Sequence, residues 1–421
     1  MATRHRTKRV PTSPWRRRCR VGALGALGAL GAGLGAGLFG SALAGPVGSA
    51  PVDAVALGPA PGAVIETVYR WQADGCPASF IPDSPARAVR RRDGSVMLIA
   101  AHYTNGSFTG AGLDRLRPRC RTPSGGHESS EPERFDDRFW VQALHTLPDG
   151  AIFALVSHEY MGKRHPGRCR WVDKPGPQCW YSAILGATMP GNRAGGDDAG
   201  FTLEALDHRV VAAPPTPFDP QTATRVGFFT TTNIVRRGDW LYVASWAEFP
   251  GVRGNCLLRA PAATPEGPWR AWRDGAFTES LSGAYGPEAR AARCDPIGTE
   301  RGLGILRSVI WLEGAGSFVG VFAVANGTPR PPGIYYSLSP DLLRWGEARM
   351  LAPLRPWYGT MDCEAFYDYP SLIDPRSPSA TFDTAGNGLD LYLTRFNWAN
   401  CQRGLDRDLV RIRVEVRPVA P

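Results

Sequence analysis

Apolar residues in this chain gather in short runs, each entered through a glycine or Gly/Asp turn, and five such units stand out. The clearest are RRDGSVMLIAAHY from Arg91 and LPDGAIFALVSHEY from Leu147. In both, a histidine falls nine residues after the turn aspartate: His102 after Asp93, and His158 after Asp149. Fainter copies are RRGDWLYVASWAEF from Arg236, LEGAGSFVGVFAV from Leu312 and AGNGLDLYLTRFN from Ala385. Their turns recur roughly every 40 to 90 residues, a period suited to repeated sheet units with loop insertions.

VMLIAA (Val96 to Ala101) is apolar on both faces, and IFALV behaves the same way, whereas a sheet with one wet face should alternate. Strands covered on both flanks fit the middle of propeller blades. A parallel α/β sheet would need crossover helices, and the segments between these runs are too rich in Pro and Gly for them. The pattern predicts an all-β chain forming a single five-bladed β-propeller. Its blades would hold Ala86–Tyr103; Phe139–Tyr160 with Trp180–Ala187; Gly227–Phe249 with Asn255–Ala260; Gly304–Ala325 with Gly333–Ser339; and Tyr369–Phe396 with Asp408–Val416. AVIETVYRW (Ala63 to Trp71) is expected to close the ring against the last blade.

The N-terminus changes how charge is interpreted. Eight Arg or Lys residues precede the uncharged stretch VGALGALGALGAGLGAGLFGSALA, which ends in Ala42-Leu43-Ala44, a small-x-small cleavage site. Residues 1–44 are expected to be a signal peptide, for twin-arginine or Sec export, followed by a flexible Pro/Gly/Ala linker over 45–62 and the propeller over 63–421. A retained membrane anchor is the rival, weakened by the repeated glycines. Removing eight positive charges takes the net charge from +9 to 9 − 8 = +1, so the basicity marks export and not nucleic-acid binding. No membrane association is expected after the signal is lost, and the mature chain is expected to be a secreted or periplasmic monomer.

Cys19 leaves with the signal, and the eight remaining cysteines suit disulfides in an exported chain. The simplest pairing joins sequence neighbours: Cys76–Cys120, Cys169–Cys179, Cys256–Cys294 and Cys363–Cys401. No CxxC pair, GxSxG elbow, P-loop, GxGxxG fingerprint or HExxH is present, and no cofactor or metal is expected.

GIYYSLSPDLLRWGEARML (Gly333 to Leu351) resembles the strand-turn-strand signature of family 43 and family 32 glycoside hydrolases, the arabinanase and invertase clan. APAATPEGPWRAW (Ala260 to Trp272) is a degenerate second copy, and Ala187 to Glu204 resembles a stretched Asp-box turn of sialidases. The resemblance implies a carbohydrate or glycan ligand and a two-carboxylate hydrolysis on the innermost strands. It points to Asp83, in IPDSPARAV, as the first-blade acid, with Asp137 (beside Asp136 in FDDRFW) and Glu159 (in SHEY) as further catalytic candidates and Glu364 as a substitute. ILRSVIWLE places Arg307 where the clan expects an acid. That departure keeps a non-catalytic glycan- or protein-binding propeller open as the alternative. Arg87, four residues from Asp83, together with His102, His158, Arg307 and Trp246, are the substrate-binding candidates; Trp357 is a second stacking candidate. A sialidase-like reading would need Arg87, Arg307 and Arg395 to converge.

Overall fold

The computed structural model describes residues 55–419 except 75, 78, 105, 121–125, 190–208, 284–291, 326, 357–364 and 399–403. Contacts divide the chain after Gly48, and all described residues belong to the unit Ser49–Pro421. The expected signal peptide, Trp357, Glu364, Cys363, Cys401 and most of 187–204 lie outside the described residues. The described chain is all-β, with four single-turn 3₁₀ segments and no α-helix.

Strands β1 (Val55–Pro59) and β2 (Glu66–Tyr69) come first. A four-stranded antiparallel meander follows: β3 (Pro82–Arg90), β4 (Val96–Ala101), β5 (Ser107–Gly110) and β6 (Arg117–Arg119). Next are β7 (Phe139–Thr146), β8 (Ile152–Met161), β9 (Trp180–Met189) and β10 (Arg209–Ala212). Then come β11 (Arg225–Thr231), β12 (Val235–Arg237), β13 (Trp240–Phe249), β14 (Val252–Pro261), β15 (Arg270–Arg273) and β16 (Ala276–Glu279). The β7–β10 and β11–β16 runs form one ten-stranded sheet, joined where β11 lies parallel to β9. Gly227 makes that junction possible, because a Cβ there would sit 2.0 Å from the Ser182 carbonyl oxygen. A further sheet holds β17 (Ser308–Leu312), β18 (Ser317–Val324), β19 (Gly333–Ser339) and β20 (Arg349–Ala352). The last holds β21 (Phe366–Ile373), β23 (Gly388–Phe396) and β24 (Arg407–Pro418), while the two-residue β22 (Thr384–Ala385) pairs with β17.

The turns that mark the sequence repeat have a common mechanism. Asp93 Oδ1 accepts hydrogen bonds from the Ser95 N–H at 2.9 Å and hydroxyl at 2.6 Å, and Gly94 takes φ +82°. Asp149 Oδ1 accepts from the Ala151 N–H at 2.9 Å, and Gly150 takes φ +85°. The aspartate fixes the bend, and glycine supplies the left-handed residue that returns the strand.

The apolar runs are buried on both faces as their pattern predicts, and the two faces belong to different cores. In β4, Met97 and Ile99 join the core shared with the ten-stranded sheet, while Val96, Leu98 and Ala100 join the core shared with β23 and β24. In β18, Val319 and Val321 pack toward the β21–β24 sheet, and Phe318 and Phe322 toward β13 and β14. Each sheet is thus sandwiched between two others, and the sequence of cores closes on itself. The closing strand expected over Ala63–Trp71 is β2, antiparallel to β24 through Glu66↔Arg411. The linker expectation over 45–62 is corrected: Val55–Pro59 is β1, paired with Val414–Pro418, because Leu57 is buried in the adjoining core.

Three of the four expected disulfides are present: Cys76–Cys120, Cys169–Cys179 and Cys256–Cys294.

Candidate functional site

The first strands of the successive sheet units meet at Arg87, which is 2 % exposed. Its Nε donates to the Gln142 carbonyl at 2.6 Å, Nη1 to the Ala86 carbonyl and Ser371 Oγ at 3.1 Å, and Nη2 to the carbonyls of Thr231 at 2.9 Å and Arg307 at 2.6 Å. A guanidinium has five N–H donors, and here each has an acceptor. Burial first, then the Arg307 charge, lowers its pKa to about 9, which still leaves it a cation at neutral pH. Arg87 is therefore the bolt of the central strands and has no donor left for a substrate, which corrects its assignment as a binding residue.

Beside this bolt opens a cavity of about 670 Å³ walled by residues from all of those strands. Asp83, at the start of β3, and Glu159, near the end of β8, both line it. Aromatic side chains of Tyr103, Trp140, Trp180, Phe229 and Tyr369 form much of the remaining wall. Thr230 and Tyr369 enter it from left-handed backbone, φ +53° and +57°, at the irregularities of β11 and β21. Such strain is concentrated where a strand must re-aim a side chain.

The two carboxyls have opposite surroundings. Asp83 Oδ1 accepts from the Tyr369 hydroxyl at 3.2 Å and forms an ion pair with Arg407. Its Oδ2 lies 3.8 Å from His102 Nε2. Glu159 has no hydrogen bond to its carboxyl among the described residues. Burial, reinforced by the Asp83 charge and only partly opposed by Arg225 and Arg138, raises its pKa to about 8. His102 also lines the cavity; burial, with Arg407, Arg138 and Arg164 against Asp83, lowers its pKa to about 4 and keeps the ring neutral.

Other expected residues fall elsewhere. Asp137 is buried outside the cavity, its Oδ2 bonded to His165 Nε2 at 3.0 Å and the Met161 N–H at 3.1 Å. It is a structural clamp between β7 and the end of β8, which corrects its catalytic assignment. Asp136 instead holds the exposed His127 ring at 2.8 Å. His158 is fully buried between Phe135 and Phe139, and its Nε2 accepts the Asp137 N–H at 3.1 Å. It too is structural, not substrate-binding. Trp246 is absent from the cavity wall; its indole N–H donates to Glu248 Oε1 at 2.7 Å, steadying the carboxylate that clasps Arg225. Arg307 does line the cavity, over the Tyr369 ring and 3.7 Å from Asp368. Arg395 pairs with Asp408, so the arginine trio of the sialidase-like reading does not converge with the bolted Arg87.

Sequence reasoning did not single out Arg138, Arg164, Arg225, Trp140, Trp180 or Tyr369. A usable signal existed for Arg138, which adjoins the flagged Asp137 in FDDRFW. Among the described residues no cluster of His, Cys, Asp and Glu could hold a metal ion.

No protein-family model and no curated protein matches the chain. Among solved structures it is similar to a thermostable family-43 glycoside hydrolase, at 12 % identity and a TM-score of 0.37 over 81 % of this chain and 97 % of that one. It is also similar to a mutant alpha-L-arabinanase of Cellvibrio cellulosa, at 10 % identity and a TM-score of 0.41 over 79 % and 92 %. A third is the catalytic domain of a Coprinopsis cinerea alpha-L-arabinofuranosidase, at 9 % identity and a TM-score of 0.40 over 80 % and 98 %.

Proposed function

We propose that this chain is an exported, carbohydrate-active five-bladed β-propeller that hydrolyses a glycosidic bond in the cavity beside Arg87. Counting the two runs of the ten-stranded sheet separately gives one blade each for β3–β6, β7–β10, β11–β16, β17–β20 and β21–β24. Three disulfides support an oxidising compartment. No helix among the described residues is long and apolar enough to cross a membrane.

One observation carries the hydrolase reading: two carboxyls share one aromatic-lined cavity, Glu159 buried with its pKa raised to about 8 and Asp83 paired with Arg407 and Tyr369. Such a pair can divide the work of a glycosidic cleavage between a proton donor and a second carboxyl. Glu159, protonated at neutral pH, gives its proton to the glycosidic oxygen as the C1–O bond breaks. Asp83, held in place by Arg407 and Tyr369, faces C1 and either takes a proton from the attacking water or forms the bond to C1 itself. The anomer of the released sugar distinguishes the two. Trp140 and Trp180 offer flat apolar walls for the sugar ring, and Arg307 caps the side next to Tyr369.

The test is a panel of aryl glycosides with wild type and Asp83→Asn. Wild type should cleave at least one member, and the variant should lose at least about a hundredfold in rate with its circular dichroism unchanged. Equal turnover by the variant would remove Asp83 from the mechanism. A wild type that binds glycans and cleaves none would instead support the binding-only alternative.

A further inference from the structure

The cavity wall carries more cationic groups than its chemistry needs. Arg138, Arg164, Arg225 and Arg307 line it, against Asp83 and Glu159, and Glu159 is uncharged at neutral pH. Two of these cations are already engaged. Arg225 makes a two-pronged bond to Glu248 at 2.8 and 2.7 Å, and Arg307 lies on Tyr369 beside Asp368. Asp83 is engaged in turn by Arg407.

Arg138 and Arg164 are different. Arg138 is only 3 % exposed, yet its Nε has no hydrogen-bond partner. Its polar contacts are long: 3.5 Å to Glu128 Oε1, 3.8 Å to Met161 Sδ, and 4.0 Å between Nε and Asp137 Oδ1, with the guanidinium lying 5.3 Å from the centre of the Tyr103 ring. Ionic hydrogen bonds of this kind normally close to roughly 2.7–2.9 Å. A buried guanidinium so loosely held has room for a closer acceptor. Arg164, on the turn after β8, is exposed and has no ion pair or hydrogen bond among the described residues. Both arise next to the acid: the Glu159 N–H donates to the Arg138 carbonyl at 3.0 Å, and Arg164 follows Glu159 by five residues.

We infer that the glycosyl unit received here is acidic, a uronosyl group whose carboxylate is taken by Arg138 and Arg164. This rests on the carbohydrate-binding part of the reading above and adds the substrate class. A planar carboxylate matches the fork of a guanidinium, completes the loosely held Nη groups of Arg138, and sets the sugar within reach of Glu159.

The experiment measures calorimetric binding of galacturonic and glucuronic acids and of their methyl esters to the wild-type protein at pH 6.5. At least one acid should bind roughly tenfold or more tightly than its ester, the gain expected when a ligand charge completes an ionic hydrogen bond. Arg164→Gln, at an exposed position where folding is not at issue, should reduce that preference several-fold, and Arg138→Lys should reduce it further. Equal binding of acid and ester, or a preference untouched by both substitutions, overturns the inference. Acid-selective binding with no uronoside cleaved keeps it and overturns the hydrolase reading. Cleavage of neutral glycosides with equal binding of acid and ester does the reverse.

Discussion

At the scale of single residues, Glu159 governs how this site should respond to pH. Its pKa stands at about 8, against 4.5 for the ordinary group, because burial and the Asp83 charge both disfavour its anion. The proton that the proposed hydrolysis would use is therefore present on Glu159 at neutral pH and lost as pH rises through about 8. Hydrolysis should fall on that alkaline limb, and Glu159→Gln should abolish the limb along with about 10²–10⁴ of the rate. A pH–rate profile of both proteins checks this. Stability follows the same sign: between 4.5 and about 8 the folded state keeps a proton that the unfolded chain releases, so stability declines with rising pH across that window. Asp83 was legible through the resemblance to the glycoside hydrolase clan, and Glu159 because it sits at a strand end in a repeat. Asp137 and His158 sit in equally suggestive positions but are buried away from the cavity, where the Asp137 carboxylate bonds the Met161 N–H and His165 and the His158 ring accepts the Asp137 N–H. Nothing in one-dimensional spacing separates those two outcomes.

At the scale of elements, the turns and double-faced strands were the most readable feature, since an Asp-Gly bend and an unbroken apolar run are local instructions. β1 was not readable. VALGP lies in a Pro/Gly/Ala-rich stretch and becomes a strand because β24 offers it an edge, with Leu57 entering a core and its N–H donating to the Tyr336 hydroxyl at 3.0 Å. Deleting residues 55–59 should therefore cost about 2 kcal/mol, mostly the burial of Leu57, and lower Tm by a few degrees. Thermal unfolding of the truncated and full proteins measures it. An unchanged Tm would mean that β1 merely rests on the edge of β24.

At the scale of the whole molecule, the decisive residue is Arg87. Its five donors satisfy acceptors from strands separated in sequence by up to 284 residues. Arg87→Met would remove the guanidinium donor from the buried carbonyl groups of Gln142, Thr231 and Arg307, each worth about 1–3 kcal/mol when unsatisfied, while the Ala86 carbonyl keeps its bond from the Ser371 hydroxyl. The expected loss is at least about 3 kcal/mol in denaturant unfolding, with Arg87→Lys less damaging because it keeps the charge and three of the donors. Glycan binding lost only in proportion to the unfolded fraction would confirm that Arg87 acts on the fold and does not touch ligand.

The sequence by itself determined the all-β character, the double-faced strands of the repeat and three of the disulfides, because turns, apolar runs and cysteine order are local or nearly local signals. Only the tertiary structure decided which side chains face the cavity. It made Arg87 a bolt instead of a ligand-binding group, turned Asp137, His158 and Trp246 away, and drew Arg138, Arg164, Trp180 and Tyr369 to one wall. Those outcomes depend on bulges, on the parallel seam at Gly227, and on which neighbouring strand supplies each acceptor. These are relations between segments far apart in the chain, and no pattern within a single segment encodes them.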